Sequence, residues 1–198
     1  MLNRMTFGTV VLGLALMLGG CAHPISMAPA LSSIQPSADT PPVEKAVGYY
    51  LAPTTKELQV TTPGGGGDKV RYFPYRDLEP GLYKTLETVF RDVTKLAHPN
   101  DAAELQTRGI QWVLIPEIKT ESSSDSLITW PPTSFTVTLT CQIKDAQGAV
   151  LDTVQAVGRG RAEFAEFSAN FSLAAVRASE DALAKLIVAL RQSPALAK

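Results

Sequence analysis

One segment of the chain alternates so regularly between apolar and polar residues that it restricts the fold more than any other feature. Residues 135–144 place every second side chain on an apolar row, which consists of Phe135, Val137, Leu139, Cys141 and Ile143. A period of two is typical of a strand with one face in the core and the other toward water. A strand over 110–118 precedes this segment, and a turn over 145–148 and a return strand over 149–162 follow it. We therefore predict an antiparallel meander.

Two longer segments have apolar residues at helical spacing and are predicted to cover this sheet. The first begins around 77–80, because an acidic residue and a proline are typical of a first helical turn. Its apolar residues are Leu82, Leu86, Val89, Phe90, Val93 and Leu96. The second is predicted over 171–190, where a row of alanines permits close approach to a sheet. A short helix capped by Asn100 or Asp101 is predicted to end before Gly109.

Short strands are predicted before the first long helix, over 47–51, 56–62 and 69–73. The order of elements is then strands, helix, three strands, helix. This order is typical of an α+β fold, with a mainly antiparallel sheet and two principal helices packed on one face. The helical crossover between the first strands and the meander is expected to create one parallel pair.

The N-terminus has the organisation of an export signal. Arg4 provides a positive charge, and the apolar run over 7–18 is too short to cross the roughly 30 Å of hydrocarbon in a bilayer. Residues 1–20 are therefore predicted to be a cleaved signal peptide. The cysteine that ends the segment leaves two alternatives, a lipoprotein signal or an ordinary secretory signal with a cysteine present by chance.

The four residues at the end of this signal, Leu18, Gly19, Gly20 and Cys21, resemble the bacterial lipobox. The resemblance implies that a diacylglyceryl group (with palmitate among its possible chains) is attached to the thiol of Cys21. Because one acyl chain binds a membrane only marginally, two or three would hold the protein firmly. Ala22 follows, and in the enterobacterial sorting pattern Asp at this position retains a lipoprotein at the inner membrane. The resemblance thus implies an outer-membrane protein that faces the periplasm.

Composition divides the rest of the chain into a tether, a folded domain and a C-terminal tail. Residues 21–45 contain a lipidated N-terminus and a segment rich in proline, serine, alanine and threonine, which is predicted to be a disordered tether. Residues 46–192 are predicted to form the periplasmic α+β domain, and 193–198 a C-terminal tail.

The chain offers few residues for chemistry. Its net charge of −1 and its two histidines indicate neither nucleic-acid binding nor a histidine-rich metal site, and no cofactor is expected. The glycine run 64–67 lacks the Ser or Thr and the following helix of a phosphate-binding loop, so a mobile surface loop is predicted and no nucleotide. Cys141 is predicted to be a buried, inert thiol. A hydrolase built around His98 is the least favoured interpretation, and we do not expect an enzyme.

Two groups of residues are candidates for binding a partner. Tyrosine and arginine, which are favoured at interfaces, cluster early in the predicted domain as Tyr49, Tyr50, Tyr72, Tyr75 and Arg76. The alternative is that these tyrosines pack a sheet–helix junction. The second group is Trp130, Pro131 and Pro132 in a loop predicted over 121–134, whose alternative is a loop folded back over the core. The segment 158–161 carries two arginines that could meet lipid phosphates, but a charged edge strand is the favoured interpretation.

Taken together, these features resemble small bacterial envelope lipoproteins, namely the auxiliary lipoproteins of ABC-type transport systems and the YajG-like lipoproteins. The resemblance is carried by the lipobox, the strand over 49–51, the segment 72–78, the amphipathic helix, the meander and the alanine-rich helix. It implies a non-enzymatic, lipid-anchored accessory subunit, or adaptor, of an envelope transport or assembly complex. A carrier that shields a lipid or glycan between the helices and the sheet remains the alternative.

Overall fold

The computed structural model describes residues 22–35, 40–65, 68–124 and 133–197. Within these ranges no helix has the length and the apolar character needed to cross a membrane. The strands are β1 (Ala22–Pro24), β2 (Val43–Tyr49), β3 (Val60–Pro63), β4 (Lys69–Tyr72), β5 (Phe90–Lys95), β6 (Trp112–Ser124), β7 (Thr133–Asp145) and β8 (Val150–Ala162). The helices are α1 (Pro53–Lys56), α2 (Pro74–Val89), α3 (Ala102–Thr107), α4 (Phe164–Ala169) and α5 (Leu173–Arg191).

A five-stranded sheet in the order β5-β2-β6-β7-β8 forms the centre of the fold. Strands β6, β7 and β8 are the predicted antiparallel meander, and the apolar row from Phe135 to Ile143 is buried. Strand β2 runs parallel to both of its neighbours, so the crossover creates two parallel pairs here and not the single pair predicted. Helices α2 and α5 contact one another and the sheet, which confirms the predicted α+β class.

A second, smaller sheet has the order β1-β4-β3. It packs beside β6, where the hydroxyl of Tyr72 donates a hydrogen bond of 2.9 Å to Oγ1 of Thr120. The ring of Tyr72 also meets the edge of Phe135, with ring centroids 5.3 Å apart. The small sheet thereby joins the main core instead of forming a core of its own.

Helix α5 crosses β8 at close range, as its row of alanines predicted. Ala174, Ala178 and Ala182 are buried against the strand, opposite Gly158 and Gly160. A Cβ atom added to Gly158 would lie 2.1 Å from the carbonyl oxygen of Ala178. The glycines therefore allow the backbone of the helix to approach the backbone of the strand.

The first long helix differs from the prediction at both ends. It begins at Pro74 and ends at Val89, after which Phe90 is extended and β5 begins. The helix predicted to continue through Leu96 is therefore wrong beyond Val89, because parallel pairing with β2 stabilises an extended chain. The predicted strand over 56–62 is likewise reduced to β3, since α1 takes up its first residue.

The predicted tether is wrong for residues 22–35. Strand β1 pairs with β4, and the side chains of Ile25, Met27 and Ile34 are buried in the main core. These three apolar residues are spaced between the prolines, and their burial offsets the cost of ordering the segment. Strand β2 begins at Val43, so the segment 43–45 is also part of the fold.

Candidate functional site at the N-terminal segment

The described chain enters the fold immediately after the lipobox. The residues Leu18, Gly19, Gly20 and Cys21 lie outside the described residues, and Ala22 is the first residue of β1. Ala22 is paired with Lys69, and Pro24 with Arg71. The register continues past the strand, because the Ile25 amide donates a hydrogen bond of 2.9 Å to the carbonyl oxygen of Arg71. The position of residues 22–25 is thus set by β4.

His23 fixes the start of this segment through its ring. The imidazole stacks on Phe171 with ring centroids 4.0 Å apart, and its Nε2 lies 3.4 Å from Oδ1 of Asp68. Phe171 in turn meets Phe167 edge-on at 5.0 Å. Gly65 packs so tightly on this pair that an added Cβ would lie 2.7 Å from Phe167. The predicted mobile loop is therefore wrong at its first two glycines, which are buried.

Further along, the segment is fastened to both long helices. The Met27 amide donates to Oδ2 of buried Asp77 at 3.1 Å, and the Met27 side chain is fully buried. The Ala30 amide and the Ser33 hydroxyl both donate to Oε1 of Glu180 at 3.3 Å. Asp77 lies in the first turn of α2, where an acidic residue was predicted, and it also holds the N-terminal segment. Residues 22–35 are consequently part of the folded domain.

The outward surface of the small sheet lies beside this entry point, and we call it the anchor face. Its members are half-buried Ala22 and exposed Pro24, Thr61, Pro63, Lys69 and Arg71. The register places these residues side by side, because Lys69 pairs with Ala22 on one side and Pro63 on the other. At one end the face borders a groove of about 310 Å³, which also contacts Asp68 and Ser124. The anchor face thus includes Ala22, the first described residue after Cys21.

The tyrosine cluster belongs to the core. Tyr49, Tyr72 and Tyr75 are buried, and the Tyr75 hydroxyl accepts a hydrogen bond of 3.1 Å from the Ile118 amide. The structure therefore contradicts these three as partner-binding residues and supports the packing alternative. Tyr50 is half-buried beside the small second core cluster, and Arg76 is exposed, with its guanidinium 3.8 Å from the centre of the Phe73 ring.

The second predicted partner-binding group, Trp130, Pro131 and Pro132, lies outside the described residues. Its loop leaves β6 at Ser124 and returns at Thr133, which are paired with each other. Residues 121–124, which were predicted to be part of this loop, are the end of β6.

Glu79 of α2 lies between two lysines. Its carboxylate forms ion pairs with Lys56 and Lys95 and lies 3.4 Å from the hydroxyl of Tyr49. Burial alone would raise the pKa of Glu79, but hydrogen bonds from the two lysines hold it below its ordinary value. Burial and the charge of Glu79 raise the pKa of Tyr49. This group connects α1, α2 and β5, which gives it a structural role.

The residues considered for catalysis lie in different surroundings. Cys141 is buried in β7, where desolvation raises the pKa of its thiol to about 12 and suppresses the reactive thiolate. His98 is exposed in the connection after β5. Among the described residues, no group of three or more His, Cys, Asp or Glu side chains could hold a metal ion.

Sequence reasoning missed the role of two carboxylates that follow β8. Glu163 and Glu166 form a capping box at the start of α4, a short helix that was not predicted. Glu166 also pairs with Arg177 of α5 at 2.9 Å. The spacing of two glutamates three residues apart, before an apolar residue, was the available signal.

Comparison with known proteins identifies the fold but no family. No family model matches the chain, and no curated protein matches it in sequence. A Xanthomonas campestris protein of the DUF330 family has a similar structure, with a TM-score of 0.51 and 10% identity, over 87% of this chain and 98% of that one. Two weaker similarities have lower TM-scores. The PelC dodecamer of Paraburkholderia phytofirmans gives 0.36 at 16% identity, covering 74% of this chain and 94% of that one. A Caulobacter crescentus protein described as a lipoprotein gives 0.35 at 14%, covering 65% and 83%.

Proposed function

We propose that this protein is a lipoprotein anchored through Cys21 to the outer membrane and that it faces the periplasm. In this position it serves as a non-enzymatic accessory subunit of an envelope transport or assembly complex. The observation that carries the proposal is the junction between a lipobox and a folded domain, because the first residue after Cys21 is already part of β1. An acylated Cys21 would attach the entire domain to the membrane.

No free linker separates Cys21 from the folded domain, and this restricts the partners that the domain can reach. A tether would let a domain reach a partner far from the lipid, whereas residues 22–35 are hydrogen-bonded to β4, α2 and α5. A domain held in this way works at the membrane surface and contacts components that are themselves in or beside the membrane. Such a position suits a subunit of a membrane-bound complex.

The state of the reactive groups favours an accessory role over catalysis. The thiol of Cys141 is protonated and buried, and Glu79 is neutralised by two lysines. The helix–sheet interface is filled by alanines and glycines in direct contact. This packing supports the accessory role more than the hypothesis of a carrier that binds a lipid or glycan between the helices and the sheet.

The anchor is tested by metabolic labelling with radioactive palmitate. We expect the wild-type protein and the Cys141→Ala variant to be labelled, and the Cys21→Ala variant to lose the label completely. Because the only other cysteine serves as the control, the result assigns the acyl group to one thiol. An unlabelled wild-type protein would refute the anchor. Retention of label in Cys21→Ala would refute its position.

The sorting is tested with Ala22→Asp and with Ala22→Ser as its matched control. We expect the wild-type protein and Ala22→Ser to cosediment with outer membranes in a sucrose gradient, and Ala22→Asp to shift to inner membranes. Equal distribution of the variants would contradict sorting by this position.

The accessory role is tested by crosslinking in intact cells followed by purification under denaturing conditions. Photo-reactive residues at exposed positions on different faces, such as Tyr83 and Gln155, would sample the surface of the protein. We expect one envelope complex to dominate the crosslinks from one face. Recovery of no specific protein from any face would contradict the proposal.

A further inference from the structure

We propose that the anchor face lies against the bilayer, with Lys69 and Arg71 in contact with the phosphates of lipid headgroups. This inference rests on the proposed lipidation of Cys21 and adds the orientation of the domain to it. The partner is a phospholipid surface, and the contact is electrostatic. The domain would then stand on the small sheet, with the far end of the large sheet directed away from the membrane.

The first step of the argument is the length of chain between the anchor and the fold. Consecutive Cα atoms are about 4 Å apart, so Cys21 lies within one residue of the pairing between Ala22 and Lys69. A diacylglyceryl group on that cysteine must enter the bilayer there. The headgroup layer, which is about 5–7 Å thick on each side, is therefore in reach of the neighbouring residues on β4 and β3.

The second step is rigidity. Strand β1 is paired with β4 along its length, and the Ile25 amide continues the pairing to the carbonyl oxygen of Arg71. The stacking of His23 on Phe171 and the bond from the Met27 amide to Asp77 fix the segment at two further points. Because the segment and the domain form one body, the anchor determines which surface faces the lipid.

The third step is charge. The exposed strand positions on the anchor face carry two cations, Lys69 and Arg71, and no carboxylate. The nearest acidic residue, Asp68, is close to the imidazole of His23 at 3.4 Å. Lysine and arginine near an anionic surface are attracted to it, and arginine binds phosphate through two parallel hydrogen bonds. The charge of this face therefore matches the headgroups that the anchor brings to it.

The experiment measures the depth of single positions in vesicles that contain the full lipidated protein. Thr61→Cys on the anchor face and Thr153→Cys near the far end of β8 each receive an environment-sensitive fluorophore. Acylated Cys21 and buried Cys141 do not react with the label. The vesicles consist of phosphatidylethanolamine and phosphatidylglycerol, with a nitroxide quencher on a fraction of the headgroups. We expect quenching to be severalfold stronger at position 61 than at position 153.

The charges are tested in the Thr61→Cys background with Lys69→Gln and Arg71→Gln together. We expect the equilibrium between docked and undocked orientations to shift about fivefold for each removed cation, which lowers the quenching at position 61. Arg91→Gln and Arg108→Gln together remove two exposed cations elsewhere and should leave that quenching unchanged. Equal loss in both pairs, or loss in neither, would overturn the assignment of Lys69 and Arg71.

The outcomes separate this inference from the proposed function. Failure of the wild-type protein to float with vesicles would remove the lipid anchor and the orientation together. Flotation with equal quenching at positions 61 and 153 would leave the anchor intact and overturn the orientation. Stronger quenching at position 153 would show that another face meets the lipid.

Discussion

At the scale of single residues, Gly158 and Gly160 set the distance between β8 and α5. A Cβ at Gly158 would lie 2.1 Å from a carbonyl oxygen and 2.3 Å from a backbone nitrogen of the helix, and Gly160 is equally restricted. Backbone atoms cannot move aside in the way that the end of a side chain can. A side chain at either position would therefore push the helix away from the sheet.

We expect Gly158→Ala to lower the free energy of unfolding by about 2–3 kcal/mol, because one methyl group would overpack the helix–sheet contact. Urea denaturation followed by circular dichroism measures the change. Gln155→Ala, at an exposed position of the same strand, is the control and should change stability by no more than about 0.5 kcal/mol. Equal stability of Gly158→Ala and the wild-type protein would contradict the close approach.

Glu79 makes stability depend on pH in a defined direction. Its pKa in the folded protein is lowered from 4.5, so the unfolded chain binds a proton more readily than the folded protein does. The stabilisation from ionised Glu79 is fully present above its ordinary pKa and is lost as the pH falls through the lowered value. We expect Glu79→Gln to cost about 1 kcal/mol at neutral pH and less at about pH 3.

Denaturation curves of the wild-type protein and Glu79→Gln at the two pH values measure this difference. Glu121→Gln, an exposed substitution on β6, serves as the control and should leave the pH dependence intact. A Glu79→Gln variant with the same acid sensitivity as the wild-type protein would contradict the ion-pair network.

Sequence patterns identified some of these residues and missed others for a physical reason. Alternation places Cys141 in the core, because the period of a strand is a local property. The location of Tyr72 is ambiguous from sequence, since its ring suits a core and its hydroxyl suits a surface. In the structure the hydroxyl donates a hydrogen bond to Thr120, which is distant in sequence. The meeting of Lys56, Glu79 and Lys95 depends on three elements coming together, which no local pattern reveals.

At the scale of elements, α5 protects the free edge of β8. The Arg159 amide donates to Oδ2 of Asp181 at 2.9 Å, and Nζ of Lys185 donates to the Val157 carbonyl oxygen at 3.1 Å. Arg177 similarly donates to the carbonyl oxygen of Arg161. The polar groups of an edge strand otherwise pair with other chains, so these side chains counter aggregation. The edge position of the arginine segment agrees with the favoured interpretation of 158–161.

We expect the double variant Asp181→Ala and Lys185→Ala to self-associate, because it leaves backbone groups of β8 open to a second chain. Analytical ultracentrifugation over a range of concentrations would detect the new species. Glu104→Ala with Arg108→Ala removes a comparable ion pair from α3 and should leave the mass unchanged. Wild-type sedimentation of the double variant would show that the edge needs no such cover.

The end of α2 shows why helix boundaries were harder to predict than strands. Val93 and Leu96 continue the helical spacing, yet β5 begins at Phe90 without a glycine or proline to stop the helix. Parallel pairing with β2, whose sequence lies far upstream, decides the conformation. The meander was easier because its two antiparallel pairs, β6 with β7 and β7 with β8, join strands that follow one another in sequence.

At the scale of the whole molecule, the N-terminal segment determines how the domain is connected to the proposed anchor at Cys21. Its prolines and small polar residues predict disorder on average, but Ile25, Met27 and Ile34 fit into the core at 9%, 0% and 5% exposure. A prediction from average composition therefore fails here, because the positions of only three apolar side chains decide whether the segment is ordered. The consequence is that the described fold begins at Ala22, directly after the residue at which the anchor is proposed.

This connection predicts that the segment contributes to the stability of the entire domain. Met27 is fully buried in the main core, so Met27→Ala should lower the free energy of unfolding by about 2–4 kcal/mol. Leu31→Ala in the same segment is the control, because Leu31 is 48% exposed and its truncation should cost no more than about 0.5 kcal/mol. Denaturation monitored by tryptophan fluorescence reports on Trp112, which lies in the same core cluster as Met27. A disordered tether would give equal stabilities for the two variants, whereas a segment built into the fold separates them.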